Sequence, residues 1–167
     1  LVGAMRPATA LSADGPLNLF QAVQVACIST ARQRGVLTVM DGAIHAAAEV
    51  TKRATQGVGA LISSATGPLG WVDDAGVHWS SVPFNPPTPF ATLELPERWP
   101  QVAVLYGCVE PPAFVLPALL KAGIQGLVFT GTGAGQLSVV ERNTLAAWPD
   151  TLPLMLRANR CGSGPVY

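Results

Sequence analysis

The chain has 167 residues, 49% of them hydrophobic and only 12% charged, with ten basic and ten acidic side chains that cancel. That balance leaves no electrostatic footprint for nucleic acid or an anionic membrane. The apolar runs are strand-sized and broken by Gly or Pro, too short for a membrane-spanning helix, and so rich a hydrophobic content predicts surface that an oligomer or a partner segment covers.

In chain order, an abrupt opening turn through Arg6-Pro7 and Asp14-Gly15-Pro16 leads into a predicted helix, with Ser12 or Asp14 as candidate cap. Leu19, Phe20, Val23, Ala26 and Cys27 recur at helical spacing and form its expected core face, with a stop near Arg34-Gly35. Val36 to Met40 reads as a strand buried on both faces of a parallel sheet; if Leu1 to Ala4 is also a strand, this is a β-α-β unit. Residues 41–59 lose regularity and read as a loop with at most short structure, where Asp41, His45, Glu49, Lys52 and Arg53 gather. Trp71 to Trp79, turning at Asp73-Asp74-Ala75-Gly76, reads as a hairpin.

Six prolines in residues 83–100 predict an extended connector and a domain boundary. Beyond it, strands at Val102–Tyr106, Gly126–Thr130 and about Leu152–Arg157 alternate with helices at about Ala113–Ala122 and Leu137–Trp148. Pro117 predicts a late start or a kink in the first of these helices.

Several stretches invite a chemical reading. Gly131-Thr132-Gly133-Ala134-Gly135-Gln136, between strand and helix, could cradle an anion, but Gln136 stands where the dinucleotide fingerprint needs glycine and no Gly-Lys-Ser/Thr follows. A turn serving backbone geometry or an amide-bearing ligand is the competing reading. Lys52 taken alone is a solvated lysine; buried beside a carboxylate it could serve as base for a hydroxyl nucleophile. His45 and His78 lack metal or relay spacing and read as structural, and Asp41, Asp73 and Asp74 sit where aspartate favours turns. Cys27, Cys108 and Cys161 lack zinc-site spacing, cannot all pair within the chain, and at 27 and 108 read as buried or half-buried thiols. No metal or organic cofactor is expected.

Gly3-Ala4-Met5-Arg6-Pro7, Ser12-Ala13-Asp14-Gly15-Pro16-Leu17-Asn18-Leu19, Arg34-Gly35-Val36-Leu37, Val50-Thr51-Lys52, Gly67-Pro68-Leu69-Gly70, Thr88-Pro89-Phe90, Gly131-Thr132-Gly133 and Gly162-Ser163-Gly164 follow one another as in the bacterial L-asparaginases. The chain resembles that family along essentially its whole length, and most of all its periplasmic high-affinity branch. The resemblance implies an α/β fold with a parallel-sheet three-layer architecture and two α/β domains, the first incomplete. Residues 1–82 would be the C-terminal half of the larger N-terminal domain, 83–100 the linker, and 101–167 the smaller C-terminal domain, itself incomplete.

The same resemblance implies hydrolysis of L-asparagine, and often L-glutamine, by a threonine nucleophile without cofactor, in a homotetramer. It favours a periplasmic location, with a cytoplasmic one open. Lys52 matches the family lysine that assists the second threonine. Ala4 matches the alanine whose carbonyl contacts the substrate amide, and Gln136 stands where Asn or Ser reaches into a neighbouring subunit's site. Ala134-Gly135-Gln136 replaces the common Asn-Gly-Asn, which implies a longer or lost contact to the substrate amino group. The family's Thr-Gly-Gly-Thr and His-Gly-Thr-Asp motifs are absent from these residues. The expectation is therefore a fragment of an amidohydrolase that is inactive alone; the alternative is a non-catalytic homologue serving as an assembly or binding module.

Overall fold

The computed structural model describes residues 1–82, 93–162 and 164–167. The linker prolines of 83–92, the Thr88-Pro89-Phe90 motif and Ser163 lie outside the described residues. The chain divides into two compact units, Leu1–Leu93 and Glu94–Tyr167.

In the first unit, helix α1 (Gly15–Cys27) carries Pro16 within its first turn, where a missing N–H costs nothing. It ends earlier than the sequence suggests. Ile28 is extended, a short 3-10 turn spans Ser29–Ala31, and Gly35 takes φ +71°. The core face was also misassigned. Asn18, Gln21 and Val25 are buried, whereas Leu19, Phe20 and Val23 are more than half exposed and Cys27 lies with them on the surface. The physical reason lies beneath the helix, in backbone groups of the adjacent turn that Asn18 and Gln21 satisfy.

Strands β1 (Leu37–Met40), β2 (Ala43–Ala46), β5 (Gly70–Asp73) and β6 (Gly76–Trp79) form an antiparallel sheet in the order β1-β2-β5-β6. The N-terminal segment makes one parallel bridge, Val2 to Val39, flanked by hydrogen bonds from Val39 N to the Leu1 carbonyl and from the Leu1 amino group to the Leu37 carbonyl, so the first β-α-β unit is reduced to this short pairing and β1 lies in an antiparallel sheet instead of the expected parallel one. The stretch 41–59, expected as a loop with at most short structure, contains two short strands, β2 and another at residues 50–52. Asp41 and Gly42, at φ +53° and +72°, make a two-residue turn of primed geometry that joins β1 to β2. A second ladder, β3 (Val50–Lys52) with β4 (Leu61–Ser63), follows. The predicted 71–79 hairpin forms as β5 and β6. Gly70 is demanded by close approach, since a Cβ there would collide with the His78 carbonyl.

Val39, Ile44 and Val72 share the sheet face that packs on Val25, with Leu37, Val77 and Trp79 around them. Ile44 is fully buried, which contributes about 1.5–3 kcal/mol relative to exposure. Strand alternation turns His45 to the opposite face, where its Nδ1 pairs at 2.9 Å with Ser63 Oγ of β4.

The second unit follows the alternating pattern read from the sequence. Strands β7 (Val102–Tyr106), β8 (Gly126–Gly131) and β9 (Leu154–Asn159) are all parallel in that order, β8 at the centre and almost wholly buried. Helix α2 (Val115–Lys121) starts late enough to hold Pro117 in its first turn, and α3 (Val139–Ala146) opens on a capping box: Ser138 Oγ accepts from Glu141 N while Glu141 Oε2 accepts from Ser138 N. Leu116 and Leu120 of α2 close the core over Leu127 and Phe129. Cys108 is exposed like Cys27, against the expectation of buried or half-buried thiols at these two positions, and Cys161 is exposed as well.

Candidate functional site

The opening loop is held from two sides. The Asp14 carboxylate accepts from the backbone N–H of Met5 and Arg6, both at 2.9 Å, and the Arg6 guanidinium donates to the Ser12 carbonyl and hydroxyl. Asp14 therefore does not cap α1 with its side chain, as the sequence suggested; it clamps the loop instead. The Met5 N–H, opposed by some desolvation, holds its carboxyl below the usual range.

Asn18, only 1% exposed, joins the loop to the sheet. Its amide donates to the Gly3 carbonyl at 2.9 Å and to Asp14 at 3.0 Å, and its carbonyl accepts from Asp41 N at 3.0 Å. Gln21, one turn on, accepts from Gly42 N and donates to the Val72 carbonyl. Spaced three apart, the two amides lie on one helix face, and both primed-turn N–H groups end on them. Apolar periodicity does not point to Asn18 and Gln21; the signal for them is an amide pair in register with Val25.

Ala4 sits exposed between two anchored neighbours: Gly3 through its carbonyl, Met5 through its N–H. Its backbone is thereby fixed without help from its own side chain. Lys52 stands at the end of β3, opposite Leu61, with its side chain exposed. Glu49, just before β3, accepts a hydrogen bond from the Thr66 hydroxyl, and a Cβ on Gly59 would lie 3.0 Å from the Asp41 carboxylate. Burial lowers the His45 pKa, which favours a neutral ring against Ser63.

Gln136 belongs to the second unit, where it is exposed and forms a bridge with Thr132 that closes the glycine loop on itself. A Cβ on Gly131 would stand 2.6 Å from the Gln136 carbonyl oxygen, and one on Gly135 (φ +79°) 2.6 Å from Val166. Close packing thus accounts for two of the three glycines, Gly131 against backbone and Gly135 against the Val166 side chain. Among the described residues no group of three or more His, Cys, Asp or Glu could hold a metal, and no helix is long and apolar enough to cross a membrane.

The fold and the clamped loop define a mixed α/β chain in which a helix and an antiparallel sheet immobilise an N-terminal segment in the first unit, and a parallel α/β unit follows in the sequence. Residues 1–84 match the family model described as "Asparaginase, N-terminal", and the chain belongs to the asparaginase family. Among its relatives, the "Probable L-asparaginase periplasmic" of Haemophilus influenzae is 37% identical across 98% of this chain, and the "L-asparaginase 2" of Escherichia coli 35% across the same share. A "Glutaminase-asparaginase" of Acinetobacter glutaminasificans is 37% identical over 83% of the chain. The crystal structure of a "Probable Cytoplasmic L-asparaginase from Campylobacter jejuni" superposes with a TM-score of 0.87 at 30% identity, covering all of this chain and 56% of its own. The chain spans about half the length of the curated relatives it matches, 48% for the first two.

Proposed function

We propose that these 167 residues form part of an L-asparaginase-type amidohydrolase, converting L-asparagine and water to L-aspartate and ammonia, with L-glutamine as a second substrate. The observation that carries this reading is the alignment of nearly the whole chain with relatives named for that activity. One relative's name also includes glutaminase, which supports the second substrate.

In this reading residues 1–82 belong to the larger N-terminal domain and 101–167 to the smaller one. The anchored Ala4 backbone presents its carbonyl to the substrate amide, which takes rigid placement and no side chain. Lys52 assists a threonine nucleophile as base, and Gln136 reaches toward a neighbouring subunit's site. The threonine motifs are not among these residues, so the chain by itself does not form an acyl intermediate. The higher identity to the relative named periplasmic, 37% against 30% for the one named cytoplasmic, favours the periplasm.

Ammonia release from L-asparagine tests this directly. The 167-residue chain is expected to release none, and turnover abolished by Lys52→Ala would overturn its inactivity. Mixed with a polypeptide that carries both threonine motifs, it is expected to restore release, which Lys52→Ala should lower by about 100-fold or more. Absence of any restoration from a folded mixture would count against the proposal.

One observation favours a second reading as an assembly module. Leu19, Phe20 and Val23 form an exposed apolar stripe on α1, joined by Cys27. In a homotetramer such a stripe would be covered. Sedimentation of the isolated chain as a discrete oligomer supports this role, and a monomer removes it.

A further inference from the structure

Glu141 poses a question that its capping role leaves open. The residue is only 3% exposed, and its Oε2 is engaged by Ser138 N. Its other oxygen, Oε1, is buried with no hydrogen-bond partner among the described residues. Leaving a buried acceptor unmatched costs free energy, more so on a charged group, so native structures match nearly all of them. This oxygen belongs to a side chain that lines a small cavity of about 50 Å³ in the second unit, walled by Tyr106, Cys108, Pro111, Val140 and Thr144 among others.

The chemistry of the walls selects the occupant. Pro111 and the neighbouring Pro112 have no N–H to offer. The Thr144 hydroxyl spends its proton on the Val140 carbonyl at 2.9 Å, so toward any further group it can only accept. Tyr106 also lines the cavity and carries an aromatic ring, to which a cation is attracted; its hydroxyl and the Cys108 thiol can each donate or accept. Glu141 Oε1, a carboxylate oxygen without a donor, and Thr144 Oγ1 are thus acceptors on residues that line mainly apolar surroundings. We propose that the cavity is a binding site for a short primary alkylammonium. The ammonium would donate to Glu141 Oε1 and Thr144 Oγ1, and its alkyl body would rest against Val140 and Pro111. The volume exceeds what one water needs and limits the ligand to a few heavy atoms.

All three thiols are exposed, but only Cys108 is among the residues that line the cavity, so alkylation of the three carries its own control. The chain is treated with a limiting thiol reagent, with and without propylammonium chloride, and each cysteine is quantified by mass spectrometry. Propylammonium is expected to slow alkylation of Cys108 about threefold, the protection given by a ligand at twice its Kd, and to leave Cys27 and Cys161 unchanged. Glu141→Gln keeps the capping box, because glutamine also accepts from the Ser138 N–H, and is expected to abolish the protection with the fold intact by circular dichroism. Equal protection by 1-propanol would show an apolar fit only, and equal protection by potassium chloride a simple cation effect. Either result would overturn the proposal, as would persistence in the Glu141→Gln protein or no protection of the native chain.

Discussion

Replacing Asn18 with leucine removes the amide that links the opening loop, the helix and the β1–β2 turn while keeping the number of side-chain heavy atoms. Two of its bonds join neutral partners, the Gly3 carbonyl and the Asp41 N–H, and are each worth about 1 kcal/mol. The leucine also leaves the Asp41 N–H without its side-chain acceptor in a half-buried position, so the sum is about 2–3 kcal/mol. Set against a total stability of about 5–15 kcal/mol, the loss is large. Residue-resolved amide hydrogen exchange in β1 and β2 should accelerate about 30- to 150-fold, where global opening controls exchange. The urea midpoint of the first unit should fall by about 1 M. A leucine variant within about 0.5 kcal/mol of the native chain would show that the amide network does not hold the loop, and the fixed Ala4 backbone would lose its foundation.

His45 gives the first unit a pH dependence of definite sign. Burial lowers its folded pKa below the ordinary 6.5, so the unfolded chain binds more protons near that pH; stability is full above 6.5 and declines as pH falls toward the folded value. Urea midpoints at pH 7.5 and 5.5 should differ in that direction, and His45→Gln should remove most of the difference. At Gly70, alanine forces a Cβ into the backbone of the paired strand and should cost at least about 3 kcal/mol, seen as loss of the β5–β6 amide protection; a fully protected Gly70→Ala hairpin would contradict that packing. Ser138→Ala deletes the acceptor for Glu141 N and should lower the thermal midpoint of the second unit by about 1 kcal/mol equivalent, and an unchanged midpoint would mean that the capping box contributes nothing there.

The second unit was readable from the chain because each parallel strand is a continuous apolar run and each crossover helix carries its own stop, as at Gly123. The 71–79 hairpin was equally plain. The β1–β2 hairpin was missed although Asp41-Gly42 is a turn signal, because polar His45 interrupts the apolar pattern that would have marked β2. His45 is tolerated in a buried strand only through Ser63, a partner 18 residues away.

Sequence alone determined the family, through motif order that survives whatever the local packing, and the alternation of strands and helices beyond residue 101. Tertiary structure decided which side of α1 faces inward. Apolar periodicity pointed to Leu19, Phe20 and Val23, yet the buried face carries Asn18 and Gln21. The turn beneath the helix presents backbone N–H groups that need acceptors, and matching them outweighed burying three more apolar side chains. That choice fixed the opening loop, and with it the position of Ala4, by contacts between residues that no local pattern relates.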